Sequence, residues 1–148
     1  MNGGYTVAEL KQGGYTASEM KAGGYSTKDL KAGGLTADEL KASGFSAQEL
    51  KAGDFTAVEL KDVGYSLSEL RNGGYPASEL RAIGCVAHEL KAVGFSVEEL
   101  KKGGYDAKEL MKGGFSIQEI KKAGFSAKQV KEAGFSAKDL KEAGFETA

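Results

Sequence analysis

The chain has 148 residues, 28% of them charged, with 20 Lys and Arg against 21 Asp and Glu. That balance excludes the basic excess of a general nucleic-acid or anionic-membrane binder. No apolar run approaches the roughly 18 residues of a transmembrane helix, and Met1-Asn2-Gly3-Gly4-Tyr5 lacks the basic start and apolar stretch of a secretion signal, so a cytoplasmic chain without a membrane partner is expected. A single cysteine, Cys85, and a single histidine, His88, offer no internal disulfide and no metal site. Neither a cofactor nor an enzymatic activity is expected.

A ten-residue period runs through the chain without an insertion, and such a period has to be recognised before any other reading. Aromatic residues recur at one register from Tyr5, Tyr15 and Tyr25 through Phe45, Phe55, Tyr65, Tyr75, Phe95, Tyr105, Phe115 and Phe125 to Phe135 and Phe145. Only Leu35 and Cys85 interrupt that column. Five residues after each comes Leu, Met, Ile or Val, from Leu10 to Leu140, and the 22 glycines fill two adjacent columns just before the aromatic, as in Gly13-Gly14.

Each unit predicts one helix. Two five-residue β-solenoid steps would need β-branched residues, whereas these units carry Ala, Glu, Leu and Lys. In residues 124–135, Ser126 stands at an N-cap, Gln129 completes a capping box, and Phe125 and Val130 have the hydrophobic-staple spacing. Gly134 suits the left-handed residue that ends a helix, and Phe135 then folds back on Val130 in a Schellman turn. The same signals recur down the chain and predict 14 helices of about two turns, roughly 6–13, 16–23 and so on to 136–143. Helices this short do not survive alone in water. Stability must come from stacking, so the expected fold is an all-α solenoid, one helix per ten-residue repeat, forming an elongated superhelix and a single repeat domain over 1–148.

The inner face reads small–large–small, as in Ala127, Val130 and Ala133, which lets helices approach closely. The outer face is polar, and Lys128–Glu132, Lys138–Glu142 and Glu98–Lys102 have the i,i+4 spacing of ion pairs along one helix. The acidic column from Glu9 to Glu119 suggests a phosphate-backbone mimic, and the Thr and Ser column from Thr6 onward suggests a hydroxyl array. Capping accounts for both more simply. Tyrosines beside a basic column suggest stacking with single-stranded nucleic acid, but they share their register with phenylalanines, which favours a buried ring.

Departures from the repeat point to a candidate partner patch in residues 72–93. Pro76 and Val86 replace capping hydroxyls, Ile83 and Val93 replace small residues, and His88 is unique. The competing reading is that Ile83 and Val86 fill the volume lost where Cys85 replaces a ring. Cys85 as a nucleophile with His88 as its base lacks an orienting acid. Asp54 replaces a glycine, marking either a local kink or nothing.

The unit Gly-Phe-Ser-Ala-Lys-Asp-Leu-Lys-Glu-Ala at residues 134–143 resembles tandem decapeptide arrays of the Gly-Phe-Ser-Ala-x-Glu-Leu-Lys type, and the resemblance covers essentially the whole chain. It implies an α-helical mini-solenoid and carries over no catalytic residue. Pro76, Cys85, Met111 and Asp54 favour a natural, drifting array over a designed one. The leading functional expectation is a non-enzymatic scaffold presenting an extended surface to a protein partner. The alternative is self-assembly, head-to-tail into a filament or ring, through solenoid ends that lack an obvious polar cap. A nucleic-acid mimic or binder is weaker on the charge balance.

Overall fold

The computed structural model describes residues 4–145. The chain gathers into two compact units, Met1–Tyr75 and Pro76–Ala148. The first holds α1 (Val7–Gln12), α2 (Ala17–Ala22), α3 (Thr27–Ala32), α4 (Ala37–Ala42), α5 (Ala47–Ala52), α6 (Ala57–Asp62) and α7 (Leu67–Asn72). The second holds α8 (Ala77–Ala82), α9 (Ala87–Ala92), α10 (Val97–Lys102), α11 (Ala107–Lys112), α12 (Ile117–Lys122), α13 (Ala127–Glu132) and α14 (Ala137–Glu142). Among the described residues there are fourteen helices and no strand, a repeating helical array of solenoid type. Each helix proper is six residues, about 9 Å of rise, and the residues at each end of the expected spans act as caps.

The local chemistry explains both boundaries. Thr6 is extended, its hydroxyl accepts from the Glu9 N–H at 3.1 Å, and Glu9 Oε1 accepts from the Thr6 N–H at 2.9 Å. Two of the orphan donors at the helix start are thereby satisfied. At the other end, the Gly14 N–H donates to Lys11 O at 3.1 Å and the Tyr15 N–H to Leu10 O at 3.0 Å. This paired closure requires a left-handed residue, and Gly14 supplies it with φ of 89°. Asp54 holds the same conformation at φ 68°, the only non-glycine among the described residues to do so, and its unit ends like the others. Asp54 thus marks no kink.

Stacking skips a unit. In the first unit α3 packs on α5 and α5 on α7; in the second α8 packs on α10, α9 on α11, and α11 on α13. Neighbours in sequence, such as α6 with α7 and α11 with α12, meet side by side. The core of each unit is the aliphatic column, with Leu30, Leu40, Leu50, Leu60 and Leu70 in one and Leu80, Leu90, Leu100, Leu110, Ile120 and Val130 in the other, all removed from solvent. Rings from Phe45 to Phe125 are buried as well. Tyr5 and Tyr15 depart from the expected inward column, being 68% and 52% exposed. A ring here is covered by groups 20 to 24 residues earlier, and these two lie within the first twenty-four.

The close stacking has a local requirement. The first glycine of a pair sits where the first helical residue of an earlier unit arrives. A Cβ built on Gly33 would lie 2.4 Å from Val7 Cβ, and one on Gly103 or Gly113 would lie 2.8 Å from the Cβ of Ala77 or Ala87. Real Cβ contacts are never that short. Small residues on both sides set the approach distance, as the small–large–small stripe implies.

Candidate functional site

The basic column does not simply face water. Lys31 Nζ donates to Asp54 O at 2.7 Å, lies 4.6 Å from the centre of the Phe55 ring and pairs with Glu59 at 3.6 Å. Lys91 donates to Gly114 O at 2.6 Å and lies 4.9 Å from the Phe115 ring, and Lys101 does the same at Ala123 O and Phe125. Each cation therefore caps the carboxyl end of a later helix and covers the ring that follows it, and Lys31 also meets the acid beyond. Lys11–Glu39, Lys21–Glu49 and Arg81–Glu109 complete the pattern. These ion pairs run between helices, none of them at the i,i+4 spacing expected for Lys128–Glu132, Lys138–Glu142 and Glu98–Lys102. A lysine stem laid along a ring gains apolar cover that a pair on one exposed helix face does not.

The acids are engaged too. The Thr6 and Thr16 N–H groups hold Glu9 and Glu19 below the usual carboxylate range, and Ser26 and Ser136 do so for Asp29 and Asp139. For Glu39 and Glu49 the larger cause is the hydrogen bond from Lys11 and Lys21. The cap hydroxyls face backbone N–H groups. Within the helices, two columns face water in every unit, the second helical residue (Ala8, Ser18 and so on to Lys138) and the sixth (Gln12, Ala22 and so on to Glu142).

Two surface hollows lie where the ring column is broken, and another of about 490 Å³ lies beside Tyr5 and Tyr25, where it is intact. Beside Cys85 lies one of about 430 Å³, lined by Arg81, Cys85, Val86, His88, Tyr105 and Lys112 among others. Beside Leu35 lies one of about 500 Å³, with Lys31, Leu35, Thr36, Asp38, Phe55 and Asp62 at the matching positions. The floor of the first is Tyr105, whose hydroxyl donates to the Cys85 carbonyl and whose ring lies 5.3 Å from the Arg81 guanidinium. Burial pushes the Tyr105 hydroxyl up to about 12.

Of the patch residues expected from sequence, Val86 and His88 meet at the Cys85 hollow, both exposed. Pro76 is exposed, Ile83 and Val93 are half-buried, and none of the three lines it. Val86 is 56% exposed and so does not fill the space left at Cys85. The two replaced caps leave a trace in the backbone. The Glu79 and Glu89 N–H groups turn to Pro76 O and Val86 O at 3.1 Å, and the next bonds, Leu80 and Leu90 to the same carbonyls, stretch to 3.3 Å. Cys85 is buried. Arg81, Tyr105, Glu109 and Lys112 were not singled out by sequence reasoning; their signal is the offset of 20 to 28 residues, which the ten-residue period alone does not reveal.

Among the described residues, no three His, Cys, Asp or Glu side chains group as a metal site, and no helix is long and apolar enough to cross a membrane. Short helices of one length, a single repeated register and second-neighbour stacking define an α-helical tandem-repeat protein. The family model of the decapeptide repeat region matches residues 1–67, 44–112 and 84–148, and the chain belongs to that family. Neither the curated proteins nor the solved structures contain a match to it.

Proposed function

We propose that this chain is a non-enzymatic repeat scaffold whose two exposed columns hold a protein partner. The observation that carries this reading is the division of labour within the repeat. Apart from Leu35, Pro76, Cys85, Val86, Met111 and Gln129, the ring, aliphatic, cap, acidic and basic columns keep their chemistry from unit to unit, each committed to an internal contact. The second and sixth helical positions are exposed throughout and carry Ala, Ser, Lys, Asp, Gln, Val, His, Glu and Asn. A constant frame that displays a variable stripe is how helical repeat proteins build extended recognition surfaces.

The test is capture of partners from the source cells on the immobilised chain, in parallel with the double variant Lys102→Glu/Lys122→Glu, which alters only exposed positions. A partner held by the parent chain and lost by the variant supports the scaffold. An identical set on both, matching the blank support, overturns it. Light scattering over a concentration series belongs beside it, since mass that grows with concentration makes self-assembly the better reading.

A further inference from the structure

We infer that the chain joins end to end, α13 and α14 of one copy covering the exposed rings Tyr5 and Tyr15 of a second copy. The inference gives the self-assembly alternative its interface. It does not rest on the scaffold reading, because the joint uses neither exposed column.

The rings pose the question. From Phe45 to Phe125 the ring column is buried, yet Tyr5 is 68% and Tyr15 52% exposed. Two large rings left in water forfeit the burial that the middle of the column gains. The repeat itself shows what covers a ring. A cation lies over the ring twenty-four residues later, as Lys21 over Phe45, Lys91 over Phe115 and Lys121 over Phe145, at 4.9 to 5.4 Å. Cations of this column also meet the acid twenty-eight residues later, as in Lys11–Glu39, Lys31–Glu59 and Arg81–Glu109. A tyrosine hydroxyl donates to the carbonyl twenty residues earlier, as Tyr65 does to Phe45.

The covering groups are present on α13 and α14. Lys131 and Lys141 are exposed there, and so is Ala137, although the first helical residue is buried in α4 to α6 and in α8 to α12. One alignment of two copies meets all three relations. With Tyr5 twenty-four positions beyond Lys131, Tyr15 falls twenty-four beyond Lys141. Glu9 and Glu19 then stand twenty-eight beyond the same lysines, and the two tyrosines twenty beyond the Phe135 and Phe145 carbonyls. Exposed Gly13 arrives opposite Ala137, the pairing that Gly103 makes with Ala77. Both faces keep residues of the pairing kind, although elsewhere the repeat drops a ring at Leu35, a cation at Met111 and an acid at Gln129. A foreign apolar segment covers the rings but brings no cation to Glu9 and Glu19, whereas a second copy brings both. The contact joins two different faces, so each joined copy keeps one face open for the next.

The experiment is sedimentation velocity of the full chain over a concentration series, with two variants that each disable one face. Lys131→Glu/Lys141→Glu reverses exposed charges, and Tyr5→Ala/Tyr15→Ala removes exposed rings; circular dichroism checks that both fold. Expected are a mass that grows with concentration in the parent chain and association weakened about tenfold or more in each variant alone. Mixed in equal amounts, the two variants should form a dimer and stop there, since each retains the face that the other lacks. A parent chain that stays monomeric at millimolar concentration overturns the proposal. So does full association by either variant, or a mixture that stays monomeric. Should the tyrosine variant misfold, Lys131→Glu/Lys141→Glu against the parent decides alone. Partner capture on the Lys131→Glu/Lys141→Glu chain tests the scaffold separately, so that failure of the joint and failure of the scaffold are told apart.

Discussion

The Tyr65 hydroxyl donates to the main-chain carbonyl of Phe45 across 2.5 Å, joining residues twenty apart, and Tyr75 does the same to Phe55. The bond satisfies a carbonyl in the link between two helices, where burial leaves few other donors. Tyr65→Phe should therefore cost about 1 kcal/mol in urea unfolding. The loss is bounded because phenylalanine fills the same column elsewhere. A neutral result would mean that water reaches the Phe45 carbonyl and that the tyrosines are interchangeable with phenylalanine.

The glycine columns make a sharper forecast, because one substitution has opposite signs at equivalent positions. Gly13 has helical dihedrals and meets nothing closer than 3.5 Å from a built Cβ. Gly13→Ala should be neutral or stabilise by up to about 1 kcal/mol. Gly33→Ala forces a Cβ against Val7 at 2.4 Å and should destabilise by about 1–3 kcal/mol. Adding Val7→Ala should recover part of that loss, and a double-mutant cycle without coupling would contradict the stacking of α1 against the end of α3.

Restoring a cap should stabilise the second unit. Val86→Ser offers the Glu89 N–H a hydroxyl again and should raise stability by about 1 kcal/mol. Pro76→Ser should gain less, because proline already restricts the unfolded chain by about 0.4–1 kcal/mol. Thermal unfolding of both variants measures this, and a larger gain at Pro76 than at Val86 would reverse the reasoning.

Stability should fall at both extremes of pH. Glu9, Glu19, Asp29, Glu39, Glu49, Glu69, Glu119 and Asp139 are all held below their ordinary values. A carboxylate depressed on folding contributes above its unfolded pKa, about 4 for these groups, and the contribution drains away as pH falls through the folded value. Melting temperature should hold between neutrality and about pH 5 and decline below about pH 4. At the alkaline end, folded Tyr105 keeps its proton to about 12, whereas an unfolded tyrosine releases it near 10. Stability should drop as pH rises through that window, and Tyr105→Phe should flatten the drop.

Helix existence and spacing were legible because their causes are local. Ser126 and Gln129, or Gly134 and Phe135, act within one unit and repeat in most of them. The choice of stacking partner was not. A strict ten-residue period makes every unit resemble every other, so periodicity cannot say whether α9 lies on α10 or on α11. The usable hint was pairwise size across twenty-six residues: Val7 faces Gly33 and Thr27 faces Gly53. Missing that offset also hid the reach of the lysines, so that Lys31 covering Phe55 was not visible behind a polar outer face. At the candidate site, Cys85, Val86 and His88 stood out as exceptions to the repeat. Tyr105 and Lys112 obey it or vary harmlessly, and only their placement opposite Cys85 gives them a part in the hollow.

Within each unit the bonds between stacked helices span from twenty residues, as in Tyr65 to Phe45, to twenty-eight, as in Lys11 to Glu39. A newly made segment thus finds all its partners in the three segments made just before it. Such a chain can settle in the order of its synthesis, each segment locking onto finished structure while the remainder is still unmade. Lengthening the array by duplication adds further steps of the same short reach and leaves the difficulty of each step unchanged.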